Sequence, residues 1–404
     1  MTLSTFKVSR CVGIPAEEGQ AIFPVNTCYA DREGLRLIQS YSVLVSSDTF
    51  GACYLRTSED NGRHWSEPAL FFKTEVTPEG TRRLGESCLF FDEQQNVAMM
   101  FHNLHLYPQG HFTGDVWAVT RLAMRSISKE GVLGAPQPIV QKGYDDTRWA
   151  EGVEFGKNCV GISFCAPIRL KSGRVLLPVQ RAPLGADLAK AFSIQWEAGC
   201  LMGEWRGDRL EWTLSALTRV DPSRSCRGLC EPTLAELGDG TILMVCRGSN
   251  NSTNPVPGHK WRALSRDGGR TWSAPEPFSF DDGEPFFSPA SGSRLIRSSR
   301  QGRLYWIGNI TPTNPDGNRP RYPLVIAEVD EVRCRLRRDS VRTIDDRQPA
   351  DPSRVTLSNF RVYEDRETGD FVLSMARIQE REKPDGSADL TSPSYEYRIS
   401  LGEK

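Results

Sequence analysis

Five side chains able to bind or move protons stand beside β-rich runs: Glu86, His102, Arg181, Glu231 and Arg247. Glu86 precedes one such run as Glu231 precedes another. His102, Arg181 and Arg247 each end the return run of a hairpin. Two carboxyls facing one cavity are the arrangement used for glycoside hydrolysis, one giving a proton and the other taking one or attacking. Burial raises the pKa of such a Glu and a neighbouring Arg lowers it, so the roles of the pair stay open at this level. Arginine binds a carboxylate through two parallel N–H donors, which suits an acidic ligand. A histidine at a strand end serves as a base or as a plain polar terminus, and both readings of His102 stand. His105 and His111, farther along the same stretch, read as structural.

The elements that must position these groups recur along the chain. A β-rich run, a polar turn and a second β-rich run appear six times: Thr27 to Val45, Ser87 to His102, Cys165 to Arg181, Cys230 to Arg247, Ser288 to Asn309 and Ser358 to Arg377. Their turns hold Gly, Asp or Asn, the residues that tolerate a hairpin reversal. The turns recur about every 67 residues, which leaves room for two more strands and long loops in each unit. Helical periodicity is scarce. Radial repetition of four-stranded sheets makes a β-propeller. The expectation is an all-β chain forming one domain over 1–404, a six-bladed β-propeller of four-stranded antiparallel blades. The sixth unit is short of residues after Ile399, and the strand-like Phe6 to Ile14 is expected to complete it and close the ring. The site is then expected at one end of the central channel.

Composition narrows the partners. Fifty Lys and Arg against 51 Asp and Glu give a formal net charge of −1, which argues against a nucleic-acid or anionic-membrane partner driven by bulk charge. No segment reaches the roughly 18 apolar residues of a membrane helix. The N-terminus lacks a basic stretch followed by an apolar one, which points to a cytoplasmic protein unless the natural chain has been trimmed. The 11 Cys are scattered without a C-x-x-C pair and read as buried, reduced thiols. With 5 His and no phosphate-cradle, dinucleotide or zinc motif, neither a metal nor a cofactor is expected.

Two segments share the pattern S-x-D-x-G-x-x-W: Ser58-Glu59-Asp60-Asn61-Gly62-Arg63-His64-Trp65 and Ser265-Arg266-Asp267-Gly268-Gly269-Arg270-Thr271-Trp272. A decayed copy runs from Ser126 to Gly131. Asp can accept backbone N–H groups, Gly can supply a positive φ, and Trp can anchor the turn by burial. The pattern resembles the Asp-box, or BNR repeat, of the sialidase (neuraminidase) superfamily. The resemblance implies the propeller and makes Asp60, Asp267, Trp65 and Trp272 structural. It also implies an exo-acting site with an arginine triad for the substrate carboxylate, an Asp acid/base, and a Tyr nucleophile supported by a Glu.

Carried over residue by residue, Cys230-Glu231-Pro232-Thr233-Leu234 and Met244-Val245-Cys246-Arg247 resemble the segment with the Glu and the second arginine. Arg321, with Arg319 as fallback, matches the third arginine. Asp48 lies where the acid/base Asp would be. The plain alternatives are an ion pair at a turn, a solvated loop arginine and an ordinary turn residue. Two places depart from the pattern. The first inner strand reads Ala21-Ile22-Phe23-Pro24, without an arginine. The last reads Leu357-Ser358-Asn359-Phe360-Arg361, and its nearest tyrosine is Tyr363. The expectation is a sialidase-like hydrolase of a carboxylate-bearing sugar. Two alternatives remain: a propeller lyase that uses His102 as base on uronates, or a carbohydrate-binding propeller without turnover. The sequence leaves the oligomeric state open.

Overall fold

The computed structural model describes residues 6–46, 48–108, 114–188 and 193–402. Six antiparallel sheets form a six-bladed β-propeller. The innermost strands lie on the recurring hairpins. They are Ala21–Tyr29, Gly80–Asp92, Val160–Gly161 with Ile168–Arg169, Cys230–Glu236, Arg294–Arg297 and Phe360–Glu364. Neighbouring inner strands pack side by side: Ala21–Tyr29 lies against Gly80–Asp92 and Phe360–Glu364, and Cys230–Glu236 against Arg294–Arg297. Short extra strands widen the second, third and fifth sheets. Lys7–Ile14 pairs with Ser394–Ser400, so the last blade contains strands from both ends of the chain.

The second strand of each hairpin is buried on both faces because blades stack on either side of it. Ile242–Arg247 and Leu304–Asn309 are buried throughout, and Val175–Arg181 is buried up to its last residue. Their sequences are correspondingly almost unbroken apolar runs. The core lies between blades. Met99 and Phe101 of the second blade meet Leu177, Leu201 and Trp212 of the third. Leu243 and Val245 of the fourth meet Phe278, Leu304 and Trp306. Burying a side chain of this size stabilises by roughly 1.5–3 kcal/mol, so each blade gains only in the presence of its neighbours. Nine of the eleven cysteines are buried and all are free.

Both Asp-box segments are turns held from within. Ser58 Oγ bonds Asp60 Oδ1 at 2.9 Å and accepts Gly62 N–H at 2.9 Å. Ser265 repeats this with Asp267 at 2.8 Å and Gly269 N–H at 2.9 Å. Gly62 and Gly269 have φ of 83° and 89°, which explains glycine there. Trp272 Nε1 reaches Ser215 Oγ at 3.3 Å in the third blade, so the box fastens one blade to the next. No helix among the described residues is long and apolar enough to cross a membrane.

Candidate active site

A cavity of about 450 Å³ opens among the inner-strand ends. Of the residues singled out from sequence, Asp48, Glu86, Glu231, Arg247 and Arg321 line it, as does the fallback Arg319. The fourth blade contributes its centre. Arg247 ends Ile242–Arg247 and pairs in register with Cys230, next to Glu231. Its Nη1 donates to Glu231 Oε1 at 2.6 Å. Glu231 has φ 50°, and its N–H is held by Gln180 Oε1 at 2.9 Å. Its second oxygen, Oε2, is buried without a hydrogen bond.

The left-handed backbone of Glu231 is not isolated. Asp48 (52°), Phe164 (48°) and Gln379 (61°) share it, and all four line the cavity. Non-glycine residues in this region cost of order 1–3 kcal/mol each and persist where surrounding structure over-determines them, which is common at functional sites.

Charge concentrates on the side of the fourth and fifth blades. Arg321 Nη2 donates to Ala290 O at 2.6 Å and to Asn318 Oδ1 at 3.0 Å. Burial and the Arg247 charge bring its pKa down to about 10. Arg227 reaches the same cavity from the loop before the fourth inner strand. Burial and Arg247 likewise lower its pKa, and the carboxylates of Glu231 and Asp48 oppose them. Beneath the arginines lies Lys260, fully buried, with Nζ donating to Pro289 O at 3.0 Å and Ser291 O at 2.6 Å. Burial pushes its pKa down to about 7. Lys260 and Arg321 together hold the turn at Pro289–Ser291.

The two glutamates are tuned apart. Burial raises the Glu86 carboxyl, against the pull of Arg361 and the Phe164 amide, and the Glu231 and Asp48 charges push it further up. Its Oε2 accepts Phe164 N–H at 2.5 Å and Arg361 Nη2 at 3.0 Å. Burial would also raise Glu231, but Arg247 and Arg321 outweigh it and hold that carboxyl below its ordinary value. Such divergence separates an acid from a base.

His102 and Arg181 do not line this cavity. Along Val97–Tyr107 the lining residues are Asn103, His105 and Tyr107, so His102 points to the opposite face. It is buried, both its ring nitrogens lack partners, and burial with nearby Arg125 lowers its pKa to about 4. Arg181 follows Gln180, which does line the cavity, and turns away to bond Glu197 at 2.6 Å and Glu151 O at 2.9 Å. His111 lies outside the described residues. Sequence reasoning missed Arg227, Tyr107, Trp117 and Trp196. Strand parity could have found Tyr107. Arg227 carried one signal, its place four residues before Glu231. Gly228 beside it has φ 61°, and a Cβ there would fall 2.2 Å from Trp196 O, so the loop approaches as closely as only glycine allows.

The BNR repeat-like domain family matches residues 53–336. The chain belongs to that family. As a BNR-family propeller it superposes on a protein of unknown function from Dyadobacter fermentans at 15% identity, with a TM-score of 0.62 over 97% of this chain and 99% of that one. It is similar to NanB sialidase from Streptococcus pneumoniae at 13% identity, with a TM-score of 0.63 over 96% of this chain and 70% of that one. With Trypanosoma rangeli sialidase it shares 11% identity at a TM-score of 0.59, over 97% of this chain but 59% of that one. At these identities the likeness is one of fold. No curated protein sequence matches the chain.

Proposed function

We propose that this BNR-family propeller is a sialidase-like exo-glycoside hydrolase of a carboxylate-bearing sugar. The observation that carries the reading is the convergence of three guanidiniums, Arg227, Arg247 and Arg321, on one cavity whose nearest carboxylate is Glu231. Buried charge is costly unless compensated. With Arg319, four arginines line the cavity against the carboxyls of Asp48, Glu86 and Glu231, an excess of cation that an anionic ligand would neutralise. The cavity volume lies at the low end for ligand pockets, which favours a terminal sugar over a chain segment. Arg227 would supply a third guanidinium from the fourth blade, whereas Ala21-Ile22-Phe23-Pro24 carries none and has Arg361 over its Phe23 ring at 5.3 Å. Glu86 and Asp48 are the acid/base candidates, and Glu231 the anionic partner.

The pH dependence follows from the two shifts. Glu231 must be ionised, so activity fails as pH falls through its lowered pKa. Glu86 must be protonated to donate, so activity fails as pH rises through its raised pKa. The expected kcat/KM profile is a bell that opens below the ordinary carboxylate range and closes above it, and its alkaline limb disappears in Glu86→Gln. A profile unchanged in that variant removes Glu86 from the acid role.

The lyase reading keeps one supporting observation, His105 and Tyr107 side by side on the cavity wall. The deciding experiment incubates the protein with sialosides and uronate oligosaccharides, reading released reducing sugar and near-ultraviolet absorbance together. Released acidic sugar without absorbance, lost in Glu231→Gln, is the expected result. Absorbance rising with cleavage makes the protein a lyase, and binding without either signal makes it a carbohydrate-binding propeller.

A further inference from the structure

Building on the reading of this cavity as a site for a carboxylate-bearing sugar, we infer that Asn318 sets its specificity, its side-chain N–H donating to the ring oxygen next to that carboxylate. Sialosides and uronates both carry such an oxygen, on the carbon that bears the acid group. The residue therefore reads sugar acids against other carboxylates.

Asn318 lies at the tip of a tight turn in the loop after Leu304–Asn309. Asp316 and Arg319 exchange two backbone bonds, at 2.9 and 3.0 Å, which leaves Gly317 and Asn318 as a two-residue turn. The turn is held from two other segments. Asn250, buried just beyond Ile242–Arg247, accepts Gly317 N–H at 3.0 Å through Oδ1 and donates to Pro315 O at 2.7 Å through Nδ2. Ala290 N–H bonds Gly317 O at 2.8 Å. The carbonyl of the same Ala290 accepts from Arg321 Nη2. Turn and arginine thus share one support.

The arginines themselves orient the amide. Asn318 Oδ1 accepts from Arg321 Nη2 at 3.0 Å and from Arg247 Nη2 at 3.5 Å. An NH2 group in that place would face two donors, so the oxygen is the end turned to the guanidiniums. Nδ2 is then turned from them, and it has no partner among the described residues. Asn318 is exposed and lines the cavity, so a ligand can reach it. Arg321 Nη1 also has no partner among the described residues. A carboxylate held by these guanidiniums sets its neighbouring atom beside the amide. An oxygen there accepts the N–H, whereas a CH2 group leaves it unpaired.

The test titrates the full chain with two small probes. Tetrahydropyran-2-carboxylate has the ring oxygen, and cyclohexanecarboxylate has a CH2 group in its place. Ligand NMR at constant ionic strength gives the ratio of the two Kd values for the unaltered chain, Asn318→Ala and Asn318→Asp, with circular dichroism as the check on folding. Comparing ratios between proteins cancels the different hydration of the probes. Asn318→Ala should move the ratio against the ring-oxygen probe by about 2- to 12-fold, the size of one neutral hydrogen bond. Asn318→Asp keeps an oxygen for the arginines but loses the donor, so its ratio should move at least as far. If both probes weaken alike and the ratio stays, Asn318 only positions the arginines and the inference is overturned. No binding of either probe overturns it together with the anionic-ligand reading. Acidic sugar released in the assay above with an unmoved ratio removes the role of Asn318 alone. A shifted ratio without release supports that role and makes the protein a binding propeller.

Discussion

Replacing Arg247 by Ala should lower kcat/KM for an acidic glycoside by about 30- to 5,000-fold, the equivalent of about 2–5 kcal/mol for truncating one partner of a buried charge pair. Arg247 lies at the centre of the site, 9% exposed, with Glu231 as its ion-pair partner at 2.6 Å. On the proposed function its loss removes a donor for the ligand carboxylate. It also removes the first of the charges that hold the Glu231 carboxyl down. Burial then dominates, the Glu231 pKa rises, and the acid limb of the activity profile moves to higher pH. Arg247→Lys restores the charge but not the planar fork, and should recover only part of the loss. The measurement is kcat/KM against pH for the three proteins, with circular dichroism to confirm that each is folded. A loss under tenfold with an unmoved acid limb would take Arg247 out of the ligand site.

The second large effect is on stability. Arg377→Ala should destabilise the protein by about 3–5 kcal/mol, because it strands buried charge. Arg377 ends the sixth hairpin as Arg247 ends the fourth, but it is turned into the protein and is 3% exposed. It bonds Asp345 and Asp351 directly and Glu380 at 3.2 Å, and Tyr397 donates to the same Asp345 at 2.5 Å. Asp345 belongs to the fifth blade, so this network joins the fifth blade to the sixth, where Lys7–Ile14 and Ser394–Ser400 pair. Removing the cation leaves three carboxylates at that seam with, among the described residues, only Arg10, 3.3 Å from Asp345, to offset them. The exposed pair Arg63–Glu367 is the control, and its Arg63→Ala change should cost under about 1 kcal/mol. Urea midpoints compare the two. Equal shifts would mean that the Arg377 network contributes no more than a surface pair.

These two arginines show how far the hairpin repeat could be read. Both end a return strand, and the sequence treats them alike. One enters the cavity and the other an interblade seam, because where a strand end points depends on the loops and blades packed beside it. His102 and Arg181 make the same point at finer scale. The repeat placed the end of the third return strand at Arg181, whereas the second runs five residues past His102 to Tyr107, and in both strands the residue next to the expected one, Asn103 or Gln180, faces the cavity instead. A shift of one residue reverses the face of a side chain, and burial on both faces of these strands erases the alternation that would have set the parity.

By itself, then, the sequence determined the six hairpins, the Asp-box turns and the placing of Glu231 and Arg247 on the two strands of one hairpin. These rest on local turn chemistry, on apolar runs, and on two strands joined by a short turn, all of which are written in neighbouring residues. Only the tertiary structure decided that Arg227 joins Arg247 and Arg321, that Glu86 meets Phe164 and Arg361, and that His102 is sealed away. Those contacts bring together residues from different blades, or depend on how a loop is routed between them. Closure of the ring and interblade packing set them, not the order of residues within any one repeat.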